Sequence, residues 1–110
     1  MAGPYQVVWT HVAENDLKAL IQYIAADRPQ AALDILTTIK TKASTLKKAP
    51  EKGRIVPELQ AQGISQYREL IIPPWRLVYR VETRQISVLS LIDSRQNVED
   101  ILLNRLIYKD

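Results

Sequence analysis

Four arginines, Arg68, Arg76, Arg80 and Arg95, fall on or just beyond three successive strand-like segments in the second half of a 110-residue chain. A guanidinium offers paired N–H donors in one plane. It can clamp a phosphate bidentately and offset charge that develops during phosphoryl transfer. The alternative is ordinary cross-strand ion pairing, for example with Glu69 or Glu82. Other chemistry is sparse. His11 is the only histidine, and no spacing of Asp or Glu around it supplies the further ligands that a metal needs. The absence of cysteine excludes disulfides, thiolate metal sites and thiol nucleophiles. Three glycines build no phosphate loop, and no Ser/His/Asp arrangement is visible. Glu69 and Asp93 are candidate carboxylates for acid–base work, but nothing marks them as a pair. Arg68, Arg76, Arg80 and Arg95 are therefore the candidate target-binding residues, and neither cofactor nor metal is expected.

The stretch 67–93, YRELIIPPWRLVYRVETRQISVLSLID, must position these arginines. It reads as strands over 67–72, 75–81 and 85–92, joined at Pro73-Pro74 and at Glu82-Thr83-Arg84. In the middle strand Trp75, Leu77, Tyr79 and Val81 share one face, with Arg76, Val78 and Arg80 on the other. That period of two marks a half-buried strand. The third strand places Ile86, Val88 and Ile92 on one side and Leu89 and Leu91 on the other. Being apolar on both faces, it is expected to be central and covered from both sides. Connections this short predict an antiparallel meander.

Upstream, 5–9 (YQVVW) reads as a strand. Thr10 can then cap a helix whose stripe is Ala13, Leu17, Leu20, Ile21 and Ile24. Pro29 opens a second helix with the stripe Ala32, Ile35, Leu36, Ile39, Ala43 and Leu46. The short link between them predicts an antiparallel helical hairpin. A basic run follows: Lys40, Lys42, Lys47, Lys48, Lys52 and Arg54, opposed only by Glu51. Such a run can track a nucleic-acid backbone or simply present a solvated helix face. Residues 54–59 read as an edge segment, because Pro57 cannot donate to a ladder. Asn97 is placed to cap a last helix over 98–108. That helix carries Ile101, Leu102, Leu103, Leu106 and Ile107, more apolar surface than one stripe needs, so part of it is expected to face something besides the domain's own core.

The order β-α-α-β-β-β-α predicts an α+β fold: N-terminal strand, helical hairpin, antiparallel β-meander and C-terminal helix. The length, 110 residues, suits a single domain spanning 1–110. No apolar run approaches the ~20 residues that a membrane span requires. The N-terminus does not read as a signal peptide, and a cytoplasmic location is expected. Net charge is +3, which permits an anionic partner without demanding one.

Taken together, VVWTHVAENDLKALIQYIA, RPQAA, APEKGRIVPEL, YRELIIPPWRLVYRV and ISVLSLIDSRQ resemble, in order and over nearly the whole chain, the RelE/ParE superfamily of type II toxin–antitoxin toxins. The resemblance implies a small toxin encoded beside a cognate antitoxin that holds it inactive, as in modules that stabilise plasmids. RelE-like members cut mRNA in the ribosome; ParE-like members block DNA gyrase. Carried over residue by residue, the RelE-like site is only partly matched. Arg76 falls on the strand arginine, Arg68 on a basic position of the preceding strand, and Arg95 near the arginine after the last strand. Leu70 stands where a second basic residue is required, Tyr108 lies too late to serve as the helix tyrosine, and Asp93 replaces a histidine. RNA cleavage by 2′-OH attack needs a proton acceptor, and none is evident. The resemblance thus points to a gyrase inhibitor, with no favoured catalytic residues. The alternative is a ribosome-dependent mRNA interferase using Arg68, Arg76 and Arg95. An antitoxin tail that folds on docking is expected on the helical hairpin or a sheet edge.

Overall fold

The computed structural model describes residues 5–108. Strand β1 (Gln6–Trp9) leads into helix α1 (His11–Ala25). Helix α2 (Pro29–Ser44) returns alongside and tightens into a 3₁₀ turn over Thr45–Lys47. Strand β2 (Arg54–Ile55), helix α3 (Pro57–Gln60), strands β3 (Tyr67–Ile72), β4 (Trp75–Glu82) and β5 (Gln85–Asp93), and helix α4 (Val98–Leu102) complete the order. A π-helical turn over Leu103–Ile107 extends α4. The five strands form one sheet in the order β1-β5-β4-β3-β2. The meander is antiparallel, as its short connections require, whereas β1 joins the edge of β5 in parallel after a crossover through the hairpin. The fold is α+β with a mixed sheet.

Local signals account for the helix starts. Thr10 accepts from the Ala13 N–H to cap α1, and its own hydroxyl donates to the Val88 carbonyl at 2.9 Å, so the cap also ties α1 to β5. Pro29 occupies the first turn of α2, where a missing N–H costs nothing. Asn97 accepts from Asp100 N–H at the start of α4.

Each face of the sheet is covered. The α1–α2 hairpin packs on one face through Ala13, Leu17, Ile39, Ala43 and Leu46 against Leu70, Leu77, Tyr79, Ile86, Val88 and Leu91. Helices α3 and α4 cover the other through Val56, Leu59, Val98 and Leu102 against Tyr67, Val78 and Ile92. Fully buried aliphatic side chains such as Ile39, Leu46 and Leu77 contribute about 1.5–3 kcal/mol each.

Three expectations need correction. The alternation along β5 is interrupted by a bulge: Val78 pairs with Ser90 and Tyr79 with Val88, leaving Leu89 unpaired. One extra residue shifts the parity of all that follow. Leu91 therefore joins Ile86 and Val88 on the hairpin face, while Leu89 and Ile92 face α3 and α4. Second, Pro57 is not in an edge strand. The strand stops at Ile55, and Pro57 opens α3, a position that suits proline equally well. Third, Leu102 is fully buried, and Ile101, Leu103, Leu106 and Ile107 pack against the same core. The apparent surplus of the last helix is largely taken up by the second face of the sheet.

Candidate functional site

Arg76 lies on the α3/α4 face of β4, paired with Ile71 on one side and Ile92 on the other. Only 7% of it is exposed. Its Nε donates to Glu69 Oε1 at 2.7 Å, while Nη1 and Nη2 donate to the two carboxylate oxygens of Glu58 at 2.8 and 2.6 Å. Glu69, on β3 and 1% exposed, also accepts from Arg54 Nε at 2.7 Å through its second oxygen. Two carboxylates and two guanidinium groups thus close a network under α3. It joins β2, β3, β4 and α3. Hydrogen bonding to Glu58 holds the Arg76 pKa above its ordinary value, against a smaller opposing effect of burial. The same bond lowers the Glu58 pKa, again against burial. A buried charge that keeps every partner is stable; one stripped of its partner is costly.

Arg68 is on the opposite face. It pairs with Tyr79 across the β3–β4 ladder and donates through Nη1 to the Gly53 carbonyl at 2.8 Å. The Tyr79 hydroxyl donates to the Pro50 carbonyl and accepts from the Gly53 N–H, both at 2.9 Å. Burial raises the Tyr79 pKa, keeping the phenol protonated and able to donate. Gly53 is required here: a Cβ would lie 2.4 Å from the Glu69 carbonyl oxygen and 2.7 Å from the Tyr79 hydroxyl. Arg68 and Tyr79 together fasten the 50–53 loop to the sheet.

Arg80 shares the Arg76 face of β4 but is exposed, toward the strand's far end, where it pairs with Ser87. Arg95 stands beyond the opposite end. Its guanidinium donates to both Asp93 oxygens at 2.9 and 2.6 Å, and its backbone N–H to Oδ1 at 2.9 Å. These bonds draw the Asp93 pKa down to about 2. With ~3.3 Å per strand residue, Arg80 and Asp93 are separated by roughly 20 Å along the sheet.

The four arginines anticipated as one target-binding surface are therefore not brought together. Arg76 is buried in a carboxylate cage, Arg68 anchors a loop on the other face, and Arg80 and Arg95 occupy opposite ends. Two alternating faces separate Arg68 from Arg76, and the strand length separates Arg80 from Arg95. His11 is exposed, and no group of three potential metal ligands occurs among the described residues. No helix among those residues is long and apolar enough to cross a membrane.

Two of the concave surfaces among the described residues offer apolar contact. Between α1 and α2 a groove of about 300 Å³ is floored by Leu17, Ile21 and Leu36, with Lys18, Lys40 and Glu14 at its rim. At the hairpin tip a cleft of about 350 Å³ lies between Tyr23, Ile24 and Ile35 and the β3–β4 turn at Pro74 and Trp75. Sequence reading missed a further link. Asp16 accepts from the Leu91 N–H at 2.9 Å and holds Arg105 bidentately at 2.8 and 3.1 Å. It covers the edge of β5 beyond the last residue paired with β1 and ties the C-terminal turn to α1. No local pattern announces a pair 89 residues apart.

Comparison with known proteins agrees with this architecture. Residues 7–98 match the family model described as the ParE toxin of the type II toxin–antitoxin system parDE. Toxin RelE2 of Caulobacter vibrioides is 33% identical over 87 residues, covering 78% of this chain and 91% of that protein. Among solved structures, one chain of the chromosomal ParDE toxin–antitoxin system from P. aeruginosa superposes with a TM-score of 0.69 at 21% identity, covering 84% of this chain and 98% of that one. A chain of the RelBE2 toxin–antitoxin complex from Mycobacterium tuberculosis gives 0.61 at 21% identity, over 84% and 94%. With the family model spanning most of its length, the chain belongs to the ParE toxins of type II toxin–antitoxin systems, within the RelE/ParE superfamily.

Proposed function

We propose that the toxin acts by binding rather than by cutting RNA, as a ParE-like inhibitor of DNA gyrase that a cognate antitoxin neutralises. The observation that supports this most is the carboxylate cage. A guanidinium that already commits a donor from each of its three nitrogens to Glu58 and Glu69, and is only 7% exposed, is shielded from a developing phosphorane. Arg68 and Arg95, which an interferase would need beside it, lie on the other face and beyond the end of the sheet. The ParE family match favours gyrase as the target, and a gyrase inhibitor would work in the cytoplasm.

The solved relatives come from toxin–antitoxin assemblies, which supports an antitoxin partner here. Its tail would lay an apolar helix face into the α1–α2 groove over Leu17, Ile21 and Leu36. Edge pairing is the weaker option, because the two edge strands, β1 and β2, have only four and two residues and offer little ladder. The test is a side-by-side assay of gyrase supercoiling and of transcript cleavage on translating ribosomes. Loss of supercoiling at saturating toxin with intact transcripts is expected. Cleaved transcripts with unaffected gyrase would overturn the proposal in favour of the mRNA interferase.

A further inference from the structure

From the distribution of cations we infer that the end of the sheet carrying Lys47, Lys48, Lys52, Arg80 and Arg84 binds the phosphate backbone of duplex DNA. These residues are spread over 38 positions of sequence, yet the fold collects them. The Lys47 carbonyl accepts from the Tyr5 N–H and the Arg84 carbonyl from the Gln6 N–H, both at 3.1 Å, so two consecutive residues at the start of β1 hold the 3₁₀ turn and the β4–β5 turn at the same end of the sheet, one on each side of the chain. From Lys47 the loop crosses to Pro50 and Gly53, where the Tyr79 hydroxyl and Arg68 hold it against β3 and β4. The lysines are thus mounted on a braced loop rather than a floppy one. Arg80 lies toward the same end of β4, on the other face of the sheet from the loop.

All five cations are exposed, and none forms an ion pair among the described residues. Only Glu51 and Glu82 oppose them locally, and Glu82 is engaged by the Ser87 hydroxyl. Complementing the C-terminal dipole of α2 would explain Lys47 and Lys48, but not Lys52, Arg80 or Arg84, which are not on that helix. Arg84 holds φ at +60°, a left-handed conformation that arginine seldom adopts. The turn keeps a long cationic side chain where glycine would sit without strain.

Duplex is favoured over single strands because no exposed aromatic side chain accompanies the cations. Among the described residues, Tyr67 and Tyr79 are buried and Tyr5 is half-buried against the hairpin-face core, so no open stacking platform of the kind single-strand binders use accompanies the cations. Contacts limited to phosphates carry no base sequence. The proposal does not depend on gyrase being the target.

Fluorescence anisotropy with a labelled 20-base-pair DNA duplex, a single-stranded RNA of equal length and poly-glutamate tests it. The purified toxin should bind the duplex tightest, with affinity falling steeply as salt rises. Each phosphate contact contributes about 0.9 to the slope of log affinity against log salt. Lys47→Gln/Lys48→Gln/Lys52→Gln should lower affinity at least tenfold and flatten the slope by about 2–3, while circular dichroism and the supercoiling assay report fold and toxin activity separately. Arg28→Gln, exposed at the hairpin tip by the other end of the sheet, should leave duplex affinity and its salt slope unchanged. Absence of duplex binding at low salt would overturn the inference. So would equal binding of poly-glutamate, tighter binding of the single strand, or an unchanged slope in the triple variant.

Discussion

Arg76 and Arg80 sit four residues apart on the same face of the same strand, and the fold uses them in opposite ways. Arg76 is enclosed by Glu69, Glu58 and α3, with every guanidinium nitrogen bonded to a carboxylate. Arg80 has no carboxylate within ion-pairing reach among the described residues and lies in solvent. The pair teaches that an arginine on a sheet is not a phosphate clamp by virtue of its position. What decides is whether neighbouring elements bring carboxylates to it. Here α3 does so at one end of the strand, and nothing does so at the other.

The largest effect should come from breaking the caged side of this comparison. Arg76→Ala takes from the buried Glu69 one of its two cations, leaving only Arg54, and is expected to cost about 3–5 kcal/mol, a large share of a small domain's stability. The urea midpoint measures it; a loss below about 1 kcal/mol would mean that the cage is not a structural element. Arg80→Ala, by contrast, should leave the midpoint nearly unchanged. The cage also predicts acid sensitivity. Because the Glu58 pKa is lowered in the folded state, its contribution is present above the ordinary carboxylate value and is lost as pH falls through the lowered one. An acid-unfolding curve should therefore shift to higher pH in Glu58→Gln, and an unshifted curve would remove Glu58 from the account.

The loop that displays the lysines can be loosened separately. Tyr79→Phe removes one donor and leaves the buried Gly53 N–H without its acceptor. A loss of about 1–3 kcal/mol is expected from a thermal melt, with faster amide exchange at Gly53. Arg84→Gly should act in the other sense, stabilising by about 1 kcal/mol as the left-handed strain is relieved, while weakening duplex binding. Stability and binding moving together in this variant would argue against the role given to Arg84. The smallest effect belongs to the exposed Asp93–Arg95 pair. Arg95→Ala should not change stability measurably, but the Asp93 carboxyl, followed by NMR, should titrate above the value of about 2 to which the guanidinium holds it, the backbone N–H bond remaining.

How much of this was legible in the sequence follows from the range of each interaction. The hairpin stripes, the Thr10 and Asn97 caps and the meander rest on neighbours within a few residues, and all are visible in the pattern. The parallel pairing of β1 with β5 is not, because nothing in YQVVW names a partner 79 residues away. The bulge at Leu89 is hidden because one unpaired residue leaves no mark in composition, yet it inverts the facing of Leu91 and Ile92. Arg68, Arg76, Arg80 and Arg95 could be picked out by type and spacing. Their roles could not, since these depend on Glu58, Gly53 and Asp93, which only the fold brings to them. Only the register that places Arg68 beside Tyr79 puts Arg68 and Arg76 on opposite faces.

The central claim is that Arg76 holds the fold and takes no part in the toxin's chemistry. Arg76→Met/Glu69→Met replaces the buried charges with apolar side chains of similar volume, an exchange that folded proteins commonly tolerate. Growth arrest on expression without antitoxin, scored only after thermal melting shows the double variant folded, is the direct measurement. A folded variant that still arrests growth is the predicted result. A folded variant that has become harmless would contradict it.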